Sequence, residues 1–178
     1  MNFPNSLTIL RFLLIPLFVL AFFSNIKYKY MIAIGIFLLS GLTDILDGFI
    51  ARRYNMVTKF GKLFDPLADK LMILTVLWCF VYKNYIPSII FYIVLVKELF
   101  MILGSAILYG RIKIVVSANI YGKIATFLFY VAIISILLKI KISIYILMMA
   151  VIFAIFAFVV YSMKYLSEYK KLRSTSNE

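Results

Sequence analysis

The sequence predicts an all-α integral membrane protein, and three observations carry that prediction. Hydrophobic side chains make up 65% of the 178 residues and charged ones only 15%; mean hydropathy is +1.07; and the apolar residues gather into six runs. An ordinary soluble domain is far less apolar and carries more charge. A helix needs roughly 20 apolar residues to cross the hydrocarbon core, so a chain of this length has room for about six spans joined by short loops.

The six runs are Leu7 to Phe23, Tyr30 to Ile50, Leu63 to Tyr82, Ile86 to Tyr109, Val116 to Leu138 and Ile142 to Met163. Asn5 and Ser6, after Pro4, are candidate caps for the first helix. Ser24-Asn25, Asn84 to Pro87 and Lys139 to Lys141 punctuate later turns. Met1 to Ser6 lacks the basic region of a secretory signal and no small-residue cleavage pattern follows it, so the first helix is expected to be retained. Residues 1–178 are expected to form one membrane domain, with 1–6 as an N-terminal cap segment and 164–178 as a polar cytoplasmic tail.

Orientation follows from the basic residues, because cytoplasmic loops are richer in them. Arg11, Arg52, Arg53, Lys59, Lys62, Lys70, Arg111, Lys113, Lys123, Lys164, Lys170, Lys171 and Arg173 fall on one side, thirteen against five on the other (Lys27, Lys29, Lys83, Lys139 and Lys141), with Lys97 inside a span. Both termini are expected in the cytoplasm. The net charge of +12 is spread over loops and one tail. It forms no single basic block, which argues against nucleic acid and for anionic lipid head groups. With no histidine, His-based acid–base chemistry and His metal sites are excluded; Cys79 is the single cysteine, lies in an apolar run and is expected to be packing alone.

Seven acids are present, and Asp44, Asp47, Asp65, Asp69 and Glu98 lie in or beside apolar runs. A carboxylate there costs about 2.5–3.5 kcal/mol on insertion scales, so each needs a partner or a wet cavity. Asp44, Asp47, Gly48, Ala51 and Arg52 stand at offsets of zero, three, four, seven and eight, one stripe of a helix. Gly61, Asp65 and Asp69 repeat at steps of four and form a second stripe. Both stripes sit at the cytoplasmic ends of their spans, so the two carboxylate pairs are expected to face each other across a cleft open to that side. Four ionised carboxylates in one cleft repel unless cations offset them, and hard Mg²⁺ or Mn²⁺ suits oxygen donors. Two such ions about 3.5–4 Å apart can clamp a phosphate, and Arg52 offers a fork to a phosphate or nucleotide. Plainer readings exist for single residues: Asp65 before Pro66 as a helix N-cap, Arg52-Arg53 as anchors, Gly48 as a packing contact. They leave Asp44, Asp47 and Asp69 unexplained.

The run Asp44-Ile-Leu-Asp47-Gly48-Phe-Ile-Ala51-Arg52, followed by Gly61, Asp65 and Asp69, resembles the signature of CDP-alcohol phosphatidyltransferases at all eight fixed positions over twenty-six residues. The resemblance implies six transmembrane helices, a homodimer, Mg²⁺ or Mn²⁺ dependence and CDP-diacylglycerol as donor. It implies that Asp44, Asp47, Asp65 and Asp69 bind metal, that Gly48, Ala51, Arg52 and Gly61 line the CDP site, and that Asp69 is also the general base.

Asn2-Phe3-Pro4-Asn5-Ser6-Leu7-Thr8 with Arg11, and Asp65-Pro66-Leu67-Ala68-Asp69-Lys70, look like family members whose acceptor is glycerol 3-phosphate. Those members carry an Arg-Glu pair in the fourth span and a later arginine; here the pair is Lys97-Glu98 and Gly104-Ser105 stands near the later position. Tyr121-Gly122-Lys123 keeps the expected Gly-Lys, but Phe127-Leu128-Phe129 looks as much like cardiolipin synthases, whose acceptor is phosphatidylglycerol. An anionic acceptor needs cations, and Lys97, Arg111, Lys113 and Lys123 are the candidates. Glu98 points about 100° away from Lys97 on a helix, so the two are not expected to pair. Two other classes bind cations with intramembrane acids: prenyltransferases, which lack Gly48, Ala51, Arg52 and Gly61 at these spacings, and cation transporters, whose acids sit nearer the midplane.

Overall fold

The structure is a computed structural model that describes residues 3–53, 59–112 and 120–175, with side chains described over 7–46, 67–104 and 120–163. Among these residues the chain forms six α-helices and no strand: α1 (Phe3–Phe23), α2 (Lys29–Arg53), α3 (Lys59–Tyr82), α4 (Ser88–Ile112), α5 (Ile120–Leu137) and α6 (Ser143–Thr175). Each helix coincides with one of the six apolar runs. Three contain described stretches long and apolar enough to cross a bilayer: Lys29–Leu46, Ile120–Leu137 and Ser143–Met163. Six such spans were expected; α1 offers the shorter run Leu7–Phe23, α3 opens with four charged side chains between Lys62 and Lys70, and α4 carries Lys97 and Glu98 near its middle.

Two turns form as the punctuation predicts. Asn84 and Lys139 both take positive φ, 57° and 58°. In each, the following amide reaches back five residues, Tyr85 to Phe80 and Ile140 to Ser135, while the amides of Asn84 and Lys139 donate to Val81 and Ile136. This Schellman arrangement satisfies carbonyls that the helix end would otherwise orphan. Asn5 and Ser6 do not precede α1 as caps. They lie inside its first turns, with Pro4 near the start, where a missing N–H costs little.

The chain divides into two compact units, Met1–Pro87 and Ser88–Glu178. In the first, α1 packs on α2 and α3, and α2 touches α3. Their interior is one stripe per helix: Leu14, Phe18 and Phe22 on α1, Ala33 and Phe37 on α2, Met72, Val76 and Phe80 on α3, all buried. At one end Phe22 meets Tyr30, Phe80 and Tyr85, and Phe23 meets Trp78 and Tyr82. These contacts join the C-terminal ends of α1 and α3 to the start of α2. The N-terminus of α1, the C-terminus of α2 and the N-terminus of α3 therefore share the opposite end. Lys29 lies over Tyr30 and Lys83 over Phe23 at the aromatic end, a pairing of amphipathic rings and cations suited to a membrane interface.

In the second unit α6 packs closely on α5 and also touches α4. The α5–α6 interior is lined by Ala125, Ala132, Ala150, Ala154 and Ala157 among larger Phe129, Ile133 and Leu147. Lipid tails are as apolar as leucine, so burial of apolar surface gives helices in a bilayer little reason to associate; small residues that let backbones approach supply it through van der Waals contact. Ser135 and Ser162 donate to the carbonyls of Val131 and Phe158 one turn back, which satisfies their hydroxyls inside apolar helices.

Candidate active site

The inward stripes of the first unit do not remain apolar to their ends. Continued by one helical turn, the stripe of α1 reaches Arg11 and that of α3 reaches Asp69, while two turns carry that of α2 through Ser40 to Asp44. The periodicity that packs the core thus delivers one cation and two carboxylates to the end opposite the aromatic cluster.

The aspartates occupy matched depths. Asp44 and Asp69 lie nine and ten residues from the helix ends at Arg53 and Lys59, and Asp47 and Asp65 each lie six residues from them. At 1.5 Å rise per residue these are about 14 Å and 9 Å along the two helices. Helices α2 and α3 both run between the two ends of the first unit, so both arms of the signature lie toward the end opposite the aromatic cluster. Asp65 and Pro66 are internal to α3, which removes the N-cap reading of Asp65. Gly48, Ala51, Arg52 and Gly61 fall on the last turns of α2 and the first turn of α3; the side chains of Asp47, Ala51, Arg52 and Asp65 are outside the described residues.

Arg11 is the residue whose role the sequence did not reveal. Counted there with the loop cations, it is 1% exposed and donates from Nη1 to Asp44 Oδ1 at 2.5 Å, while the Asp44 side chain stays 42% exposed. Arg11 is no interfacial anchor. A guanidinium removed from water demands a carboxylate partner, because an uncompensated buried charge costs several kcal/mol. The neighbours are polar too: Thr8, Ser40 and Thr43 are buried, and Thr43 Oγ1 donates to the Ser40 carbonyl at 2.8 Å. Asp69 is half-buried beside fully buried Ala68.

The candidate acceptor-binding cations belong to the second unit. Lys97 Nζ pairs with Glu98 Oε1 at 2.5 Å, the side chains being 15% and 11% exposed. This corrects the expectation from helix geometry. Their Cα–Cβ vectors do diverge by about 100°, but the four-carbon lysine stem bends back across that angle, and burial makes the pairing worth the lost rotamer freedom. Lys123 is exposed in the first turn of α5, beside Gly122, whose carbonyl accepts from Thr126 Oγ1 at 3.1 Å. Arg111 lies in the last turn of α4 with its side chain outside the described residues, and Lys113 lies outside them altogether. Gly104 has open space: a Cβ there would meet nothing within 4 Å. Cys79 is fully buried in the core of the first unit, as a packing residue should be.

The donor chemistry fits a hard divalent cation. The polar residues gathered at this end offer carboxylate and hydroxyl oxygens, there is no histidine in the chain, and the one thiol is buried in the core. Carboxylates near one end of adjoining helices, with an arginine at the end of α2, suit a charged ligand better than an apolar one.

Comparison with known proteins identifies the family. The chain belongs to the CDP-alcohol phosphatidyltransferase family, whose profile matches residues 1–159, and is therefore a membrane transferase of phospholipid biosynthesis. Among individual proteins it is 39% identical to the CDP-diacylglycerol–glycerol-3-phosphate 3-phosphatidyltransferase of Rickettsia felis over 127 residues, 71% of this chain and 70% of that one. The protein of the same name from Bacillus subtilis is 32% identical over 149 residues, 77% of each chain. Its Pseudomonas fluorescens counterpart is 41% identical over 118 residues, 66% of this chain and 54% of that one. Membership in the family sets aside the prenyltransferase and transporter readings.

Proposed function

We propose that this enzyme transfers the phosphatidyl group of CDP-diacylglycerol to glycerol 3-phosphate, giving phosphatidylglycerophosphate and CMP. The observation that carries the reading is the eight-position signature laid over two antiparallel helices, in a chain whose similar relatives bear the name of that reaction. Asp44, Asp47, Asp65 and Asp69 hold Mg²⁺ or Mn²⁺, and Gly48, Ala51, Arg52 and Gly61 line the CDP site. When bound, the metals supply charge for the diphosphate oxygens and acidify an approaching hydroxyl.

The protein's own residues do the rest. Gly48, Ala51 and Gly61, with no side chain or a single methyl, leave room for the nucleotide beside the helices. The Arg52 guanidinium is a fixed cation for the phosphate of the departing CMP. Asp69 takes the proton of the acceptor hydroxyl as its oxygen bonds to the phosphorus that carries diacylglycerol, and the bond from that phosphorus to the CMP oxygen breaks. Lys97, Arg111, Lys113 and Lys123 supply cations for the acceptor's own phosphate.

The site and both termini face the cytoplasm, supported by the bias of basic residues, which survives the reassignment of Arg11. The active form is a homodimer, as the signature's family resemblance implies, and the surrounding anionic lipids meet the basic loops. Native Cys79 is fully buried, so a single cysteine introduced between Arg53 and Lys59 reports topology cleanly; labelling by an impermeant reagent before cell lysis refutes the orientation.

The test of function is CMP release from CDP-diacylglycerol and Mg²⁺ by the detergent-purified enzyme. Release is expected with glycerol 3-phosphate and not with inositol or serine. Release with phosphatidylglycerol alone would assign the enzyme to cardiolipin synthesis, the reading that the likeness of Phe127-Leu128-Phe129 to cardiolipin synthases supports.

A further inference from the structure

We infer that Arg11 is a positioning residue of the metal site: through its contact with Oδ1 it fixes the orientation of the Asp44 carboxylate toward the cations. The inference rests on Asp44 being a metal ligand, and extends the site from the two signature helices to α1.

Three observations support it. Arg11 and Asp44 lie 33 residues apart, on two different helices, and are joined by Nη1 to Oδ1 at 2.5 Å. The pair is asymmetric, with the guanidinium 1% exposed and the carboxylate 42% exposed. The cation is sunk in the core while the anion is presented at its surface, where a further ligand can reach it. Finally, Arg11 is set one turn beyond Leu14 on a stripe whose every turn is packed, with Thr8, Leu14, Phe18 and Phe22 all buried. The stem of Arg11 is therefore held by its helix, and its planar fork passes that rigidity to the carboxylate. Groups that orient a metal ligand typically cost 10–100-fold in metal affinity when removed.

Charge alone makes the opposite prediction, so the two accounts separate. A cation beside a cluster of carboxylates repels incoming metal. If Arg11 only offset charge, its removal would tighten metal binding; if it positions Asp44, its removal weakens binding although the local charge turns more favourable.

The experiment is a Mn²⁺ titration followed by electron paramagnetic resonance, on the full-length protein in lipid nanodiscs. Arg11→Met is expected to raise half-saturating Mn²⁺ by roughly 10–100-fold. Arg11→Lys, which keeps the charge but not the fork, should lie between Arg11→Met and wild type. In an Asp44→Asn background, Arg11→Met should add less than about two-fold, since its effect passes through Asp44. In turnover assays the loss should fall on half-saturating Mg²⁺ and recede at high metal. If Arg11→Met does not fold, the same cycle run with Arg11→Lys decides: a several-fold weakening that vanishes on Asp44→Asn supports the inference. Unchanged or tighter Mn²⁺ binding in a folded Arg11 variant, or a loss that adds fully to that of Asp44→Asn, overturns it. An Asp44→Asn protein that binds Mn²⁺ as wild type does would instead remove Asp44 from the ligand set.

Discussion

The Lys97–Glu98 pair allows the fold and the chemistry to be perturbed separately. Both side chains are nearly buried, 15% and 11% exposed, in the middle of α4. Removing one partner of a buried pair costs about 3–5 kcal/mol, and a charge at mid-helix in a bilayer costs about 2.5–3.5 kcal/mol on insertion scales. Each side chain also has further contacts, which places the expected loss for Lys97→Met or Glu98→Leu near the lower bound, about 3 kcal/mol. For a chain of this size that lowers the unfolding midpoint by roughly 6–12 °C. The double variant Lys97→Met/Glu98→Leu removes both ends of the pair, and exchange of a buried pair for apolar residues is close to neutral or better; it should unfold nearer to wild type than either single variant.

The measurement is thermal unfolding in micelles followed by the fluorescence of Trp78, the single tryptophan, alongside CMP release with each substrate varied. If Lys97 serves the acceptor, the double variant will be folded, its KM for glycerol 3-phosphate raised at least ten-fold and its KM for CDP-diacylglycerol little changed. A folded double variant with an ordinary acceptor KM would make the pair purely structural. One as unstable as the worse single variant would show that the two charges do not compensate each other.

Three other outcomes follow from the same geometry. Asp69→Asn keeps shape and cannot accept a proton, so turnover should fall roughly 10²- to 10⁴-fold while CDP-lipid binding survives; activity within a few-fold of wild type at saturating Mg²⁺ would remove it from the mechanism. Tyr85, in the turn between α3 and α4, has its phenol pushed up to about 12 by burial and then by its hydrogen bond with Tyr30, the hydroxyls being 2.5 Å apart. A raised acid stabilises the fold below its ordinary value of 10 and loses that contribution as pH climbs toward 12; ultraviolet titration should find a late-ionising tyrosine whose ionisation Tyr30→Phe brings partly down. Gly35→Ala should stabilise the protein by about 0.5–1 kcal/mol, because a helical glycine gives up extra backbone freedom on folding and a Cβ there meets nothing within 4 Å. Destabilisation in nanodiscs but not in monomeric micelles would mean that another chain packs on that face.

The helices were legible because a bilayer simplifies the code. Apolar length decides a span, and a break of a few polar residues decides a turn; the helix ends at Phe23, Tyr82 and Leu137 fall within a residue of the apolar runs. The aspartates were legible for a related reason. At membrane depth a carboxylate is costly enough that its position carries information, and a period of three and four residues puts neighbouring acids on one face. Span number was harder, since α3 and α4 carry charged residues that lower their hydropathy without ending the helix. The signature itself extends α3 to Lys59, ahead of the apolar run that begins at Leu63.

Ion pairing escaped the sequence because it depends on side-chain reach and on long-range contact. Lys97 and Glu98 were judged by the direction in which their Cβ atoms leave the helix, and a flexible stem defeats that test. Arg11 was judged by sign alone: near the end of an apolar run a basic residue is usually an anchor, and nothing local distinguishes it from Lys59 or Lys62. What does distinguish it is register. Leu14, Phe18 and Phe22 define the buried face of α1, and Arg11 falls on that face one turn earlier. A cation continuing an inward stripe must find an anion on another helix, and only a few acids were available. Asp44 continues the inward stripe of α2 in the same way, through Phe37 and Ser40. A rule that follows each core stripe outward to its first charged residue would have paired the two from sequence, and the same rule brings Asp69 to them along α3.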